Sequence, residues 1–278
     1  MGKKTVTVAL FFLVFTFLFA LAARPAGCES LSVSGCSVST VGYLTYLAKK
    51  YEDLTGVKVF VRGGGSLMGI SDLHSSRVDF AASCKGKTAD DPKDMQFTQV
   101  AWDALVFIVN KSNPVNGLTL DQVRNIYAGR IYNWKQLGGP DTKLISFMAL
   151  GEMGGVGQSL SRLVLGGKRP PLTANTQIIA SSAAIWEQMV EVTPGGFAAT
   201  GFASARKRDV KMLRINGAPP TKENIITGRY PLKRPLYLVT SRKPSPATKK
   251  FIEFALSRNG QRLISAYGIP SLDEIKTR

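Results

Sequence analysis

From Ser30 onward, short alternating runs of apolar residues trade places with stretches whose apolar positions recur every three or four residues. Leu31-Ser32-Val33-Ser34-Gly35 reads as a strand entering a serine-rich turn. Tyr43 to Leu54 sets Leu44, Leu47, Ala48 and Tyr51 on one helical face, and Gly56 is the residue type that ends such a helix. Val57 to Val61 alternates and is β-branched, which predicts a second strand; Gly63-Gly64-Gly65-Ser66 and a short helix through Leu73 follow. Val78 to Ala82 predicts a third strand closing at Ser83-Cys84. This strand–helix order implies an α/β fold with a mostly parallel sheet and helices on both faces.

Farther along, Ala104 to Val109 reads as a buried strand, and helical spacing recurs at Thr119–Tyr127 and Gln158–Leu165. Ile178-Ile179, Gly196-Phe197-Ala198, Met212 to Ile215 and Leu236 to Val239 predict further short strands. One amphipathic helix, Thr248–Tyr267, closes the chain. A first domain interrupted by a second, with the C-terminus returning to the first, fits this order. Ligands of open α/β sheets sit beyond the carboxyl ends of strands, here the turns at 35–40, 63–66 and 83–84. His74 falls within a helical stretch and is expected at the surface, and Trp134 and Trp186 are expected in the core.

The N-terminus follows another pattern. Lys3 and Lys4 precede an apolar run from Val6 to Leu21, and Ala20-Leu21-Ala22 supplies small residues, the arrangement of a secretory signal peptide over residues 1–22. The run is shorter than the ~20 residues a spanning helix needs, so a permanent anchor ranks second. Pro25-Ala26-Gly27-Cys28 resembles a bacterial lipoprotein cleavage site, apart from the proline. Lipidation of Cys28 would move the boundary to residues 1–27 and place the protein on a membrane surface. Among 278 residues, 36 are Lys or Arg and 19 are Asp or Glu, for a formal charge of +17. In an exported protein this balance suits an anionic ligand or surface, although scattered basic residues also serve solubility. Export and the lack of any nucleic-acid motif argue against DNA or RNA as a partner.

Three blocks then carry a likeness. The first runs Asn113-Pro114-Val115, Leu118 to Gln122, and Ile126-Tyr127-Ala128-Gly129-Arg130-Ile131-Tyr132-Asn133-Trp134. The second runs from Ile215-Asn216-Gly217 through Pro219-Pro220-Thr221 and Gly228-Arg229-Tyr230 to Arg234-Pro235-Leu236-Tyr237. The third is Phe251 to Phe254 with Gly260-Gln261 and Gly268-Ile269-Pro270. In this order they resemble the periplasmic phosphate-binding proteins of ABC transporters, and the likeness spans residues 31 to 272. The resemblance implies a two-lobe type 2 periplasmic binding fold whose lobes close around a tetrahedral oxyanion. Residues 31–107 with 238–278 would form the first lobe and residues 108–237 the second, with hinge crossings near Phe107–Asn110 and Arg234–Val239.

Family ligand positions, carried over one by one, give a mixed result. Ser39 and Thr40, with Ser37 beside them, stand in the first loop. Ser66 takes the place of a liganding serine in the second loop. Ser83 is present in the third, but Cys84 falls where the family has a charged residue. In the fourth motif Gly151 replaces an arginine, Gly155 a serine, Val156 a glycine and Gly157 a threonine; Gly154 is kept. A buried phosphate dianion needs charge-assisted donors, of which a bidentate arginine is the strong one. What the resemblance leaves in that half is the backbone N–H of Gly154, Gly155 and Gly157 at a helix start, with Ser181 or Ser182 near. Arg62, Lys85 and Arg162 are the cations available to restore charge.

Cys36 and Cys84 would lie on loops that converge on the cleft. Export favours a disulfide between them; free thiols for a soft metal or redox chemistry, and small apolar fillers, are the other readings. Two cysteines and one histidine are a poor metal set. No Ser/His/Asp order and no paired carboxylates occur in matched loops, and Glu152 reads as solvated, so a non-enzymatic protein without cofactor is expected. The leading function is an exported, monomeric binding protein that captures phosphate or another small anion for an ABC permease. A receptor-fold protein with a sensory or adhesive role and no phosphate binding is the alternative.

Overall fold

The structure is a computed structural model that describes residues 30–149, 154–179 and 182–275. Expectations for the signal peptide, Cys28, Gly151, Glu152 and Ser181 lie outside those residues. In chain order, β1 (Ser30–Gly35) leads through α1 (Ser37–Ser39), a π-helical turn (Thr40–Leu44) and α2 (Thr45–Thr55) to β2 (Lys58–Gly63). There follow α3 (Ser66–His74), β3 (Phe80–Ser83), β4 (Met95–Asn110), β5 (Gly117–Leu118) and α4 (Leu120–Tyr127). Next come β6 (Ile145–Met148), α5 (Gly155–Leu163), β7 (Thr176–Ile178), α6 (Ala183–Val192), β8 (Gly196–Gly201) and α7 (Phe202–Ala205). The chain continues with β9 (Val210–Met212), β10 (Arg214–Ile215), α8 (Lys222–Thr227), β11 (Lys233–Ser241), α9 (Pro246–Leu256) and α10 (Arg258–Ala266).

Local chemistry explains many boundaries. Gly56 closes α2 with φ of 75°, a conformation open to glycine at little cost. Thr119 starts α4 with a reciprocal capping box: its Oγ1 accepts from Gln122 N at 3.1 Å, and Thr119 N donates to Gln122 Oε1 at 2.8 Å. Helical spacing alone predicts one closing helix. The structure breaks it at Ser257, whose extended backbone and Oγ cap α10 by accepting from Gly260 N at 3.1 Å.

β2, β1 and β3 run parallel, as predicted, but β11 lies antiparallel to both β3 and β4, and β8 is antiparallel to β4. β6 and β7 then continue parallel to β8. The 16-residue β4 is the feature the pattern undersold. Its first part, Met95 to Ala104, pairs with β11, and Leu105 to Val109 pairs with β8. The change of partner therefore falls at Ala104–Leu105, before the expected crossing at Phe107. Two packed bodies result. One centres on Phe80, Phe251 and Tyr51; the other on Phe107 stacked on Phe197 at 5.7 Å, with Trp134 behind. Each such aromatic pair adds about 0.5–1.5 kcal/mol beyond the area it buries. The strand β6 and the helix α6, absent from the sequence expectation, complete the second body.

Candidate ligand cleft

A cavity of about 520 Å³ lies between the bodies. Its floor is made where helices begin. The helical run that starts at Ser37, α3 at Ser66, α5 at Gly155 and α6 at Ala183 all present their first residues to this cavity. None of the four has a side-chain cap. The first N–H groups of a helix have no partner within the helix, so uncapped starts leave donors and positive dipole ends at the cavity floor. The glycines Gly64 and Gly65 before α3 have φ of 147° and 99°, which only glycine tolerates well.

Of the expected ligand residues, Ser66, Cys84, Gly154, Gly155 and Gly157 line the cavity, as does Cys36. Ser39, Thr40 and Ser83 do not. Thr40 Oγ1 donates to Cys36 O at 3.1 Å, and Ser83 Oγ donates to Lys85 O at 2.9 Å while accepting from Lys85 N. Ser39 is fully buried beside Cys36 and Tyr43. Ser66 lines the cavity with its hydroxyl engaged, accepting from Cys84 N at 3.1 Å. Ser182, near α6, is buried. His74 is exposed at the end of α3, and Trp134 is in the core. Trp186 is buried in the core, as expected, and also forms part of the cavity wall, with Nε1 donating to Ala199 O at 3.0 Å.

The lobes touch directly at the innermost point. A Cβ on Gly155 would sit 2.3 Å from Cys84 Sγ and 2.8 Å from Ser66 Oγ. Gly86 N donates to Gln158 Oε1 at 2.9 Å across the same seam. Cations named from the sequence do not supply the missing guanidinium. Arg62 pairs with Asp72 at 2.7 Å, Lys85 is buried against Asp91 at 2.5 Å, and Arg162 is exposed on α5. The cation beneath the seam is Arg234. Wholly buried, it faces its strand partner Asp103 with Nε 2.9 Å from Oδ2, and its Nη1 donates to Ser159 Oγ at 3.1 Å. The sequence signal was an arginine and an aspartate inside otherwise apolar strands; charged residues are rarely buried unless paired.

Cys36 and Cys84 meet, as the loop order implied, but as free buried thiols and not as the expected disulfide. Burial pushes the Cys36 thiol up; a hydrogen bond from Cys84 and the charge of Arg234 outweigh that and bring it down to about 7. Cys84, the donor in that contact and also desolvated, moves up. In denaturant without reductant, a chain beginning at Ser30 should show both thiols to a thiol reagent, and the folded chain should show neither on the same timescale. Loss of both thiols in denaturant would mean that they are bonded. Among the described residues, no group of histidine, cysteine and carboxylate side chains could hold a metal ion, and no helix is long and apolar enough to cross a membrane.

A sequence profile described as the PBP superfamily domain matches residues 22–259. The phosphate-binding protein PstS of Borreliella burgdorferi is 28% identical over 251 residues, covering 86% of this chain and 89% of that one. A solved substrate-binding protein with bound phosphate from Clostridium perfringens is 25% identical with a TM-score of 0.77, covering 87% of this chain and 99% of the other. An ABC-type phosphate transport receptor from Vibrio cholerae is 28% identical with a TM-score of 0.66, covering 87% and 100%. These neighbours have the two-lobe type 2 periplasmic binding fold.

Proposed function

The chain belongs to the PBP superfamily, and on that premise we propose that it is an exported, monomeric solute-binding protein that captures a small anion and delivers it to an ABC importer. The observation that carries this reading is the meeting of four uncapped helix starts in one cleft. Each start is equivalent to roughly half a positive charge, so an anion can be held without a guanidinium in contact with it. The resemblance to receptors of phosphate transporters supports delivery to a permease, and the basic, apolar and small-residue order of residues 3–22 supports export. Closure would bring residues 31–107 with 238–278 against 108–237. Among the described lining residues there are neither paired acid/base side chains nor a nucleophile beside a base.

The test is calorimetry on the chain from Ser30 with phosphate, sulfate and a set of small organic acids, alongside small-angle scattering. At least one of these anions should bind at micromolar concentration and make the particle more compact. Silence toward every anion, inorganic and organic, would overturn the receptor reading.

A further inference from the structure

We propose that the anion this cleft takes is an organic monocarboxylate with an apolar body, and not a tetrahedral inorganic oxyanion. The proposal rests on the receptor reading above and narrows its ligand.

Three observations carry it. First, the walls are apolar: Leu67, Phe147, Leu160 and Trp186 line the cavity, and the large hydrophobic side chains of Met68 and Leu172 stand at its rim 37% and 59% exposed. A small hydrophilic ion would leave those surfaces wet, whereas an apolar body would cover them at about 25 cal/mol per Å². A volume of about 520 Å³ is that of a pocket for an organic molecule of moderate size. Second, the described lining supplies one side-chain charge. Arg169, exposed, is the charged residue among the described lining, and none of the described lining residues is a carboxylate that could accept the proton of a hydrogen phosphate. Third, the polar groups are gathered at the floor. The uncapped start of α5 lines the cavity, as does Ser37, which is 5% exposed and has no hydrogen-bond partner for its Oγ among the described residues. A hydroxyl and successive backbone N–H groups suit the two oxygens of a carboxylate. Below them the seam at Gly155, Cys84 and Ser66 is shut, so the head rests on the floor and the body extends toward Met68 and Leu172.

The experiment is a competition series read by thermal shift and Trp fluorescence on the chain from Ser30. The probes are acetate, benzoate, octanoate, octanamide and inorganic phosphate. Octanoate or benzoate should bind at least tenfold more tightly than acetate, octanamide or phosphate. Leu172→Asp, at an exposed rim position, should weaken that binding tenfold with an unchanged melting temperature, and Ser37→Ala should weaken the carboxylate without altering the weak response to the amide. Phosphate binding more tightly than every apolar carboxylate would overturn the proposal and leave the receptor reading standing. Equal binding of acetate and octanoate, or of octanoate and octanamide, would overturn it too. Silence toward all five probes would overturn the proposal, and the wider anion set above then decides the receptor reading.

Discussion

Replacing Asp103 by alanine should lower the stability of the protein by about 3–5 kcal/mol, the cost of leaving one member of a buried ion pair without the other. Asp103 and Arg234 face each other across β4 and β11, both wholly buried, with Nη2 2.8 Å from Oδ2. The other oxygen of Asp103 accepts from Ala203 N at 2.9 Å, so the substitution also orphans a backbone donor at the start of α7. For a chain of this size such a loss corresponds to a melting temperature lower by roughly 10 °C. The paired change Asp103→Leu with Arg234→Met should recover most of it, because apolar groups of similar volume in place of a buried pair are close to neutral. Urea melts of the three proteins check the claim. A single variant within 1 kcal/mol of the parent, by the same measure, would show that the pair is solvated and its geometry irrelevant to stability.

Putting a methyl group on Gly155 should be nearly as damaging, for a steric reason. Its Cβ would meet Cys84 Sγ at 2.3 Å and the Cys84 carbonyl carbon at 2.8 Å. The sulfur can swing away; the backbone carbon cannot. Gly155→Ala should therefore cost about 1–3 kcal/mol, the range of overpacked interiors, by wedging α5 off the opposite body. Gly154 is the internal control, since a Cβ there meets nothing within 4 Å. As a helix N-cap, Gly154→Ala should cost less than about 1 kcal/mol. Combining Gly155→Ala with Cys84→Ala should show coupling in a double-mutant cycle, because the two positions share one contact. Additive effects would mean that α5 does not bear on Cys84 in solution.

Much of the first body was legible in the sequence because its strands alternate cleanly and its helices carry end signals. Leu31 to Gly35 and the helix closed by Gly56 are local statements, and the structure realises each. The first half of β4 was hidden because Met95-Gln96-Phe97-Thr98-Gln99 is a strand through its pairing with β11, a contact more than a hundred residues away. α6 was missed because exposed Ile185 and Val192 and the buried Glu187 blur the apolar face of Ala183 to Val192. The cleft was half readable. Residues 66, 84 and 154–157 could be placed by family order, whereas Arg234 stands within the second block with nothing in the sequence to mark its role. Its importance depends on Asp103, a partner in space and not in sequence.

The meeting of helix starts has a consequence for how such a protein can change. A binding charge built from main-chain donors does not reside in any one side chain, so substitution at a single position cannot erase it. The walls are then free to drift between hydrophilic and greasy while the attraction for a negative head persists. A lineage with this architecture can exchange one cargo for another in small steps, each of them a viable receptor.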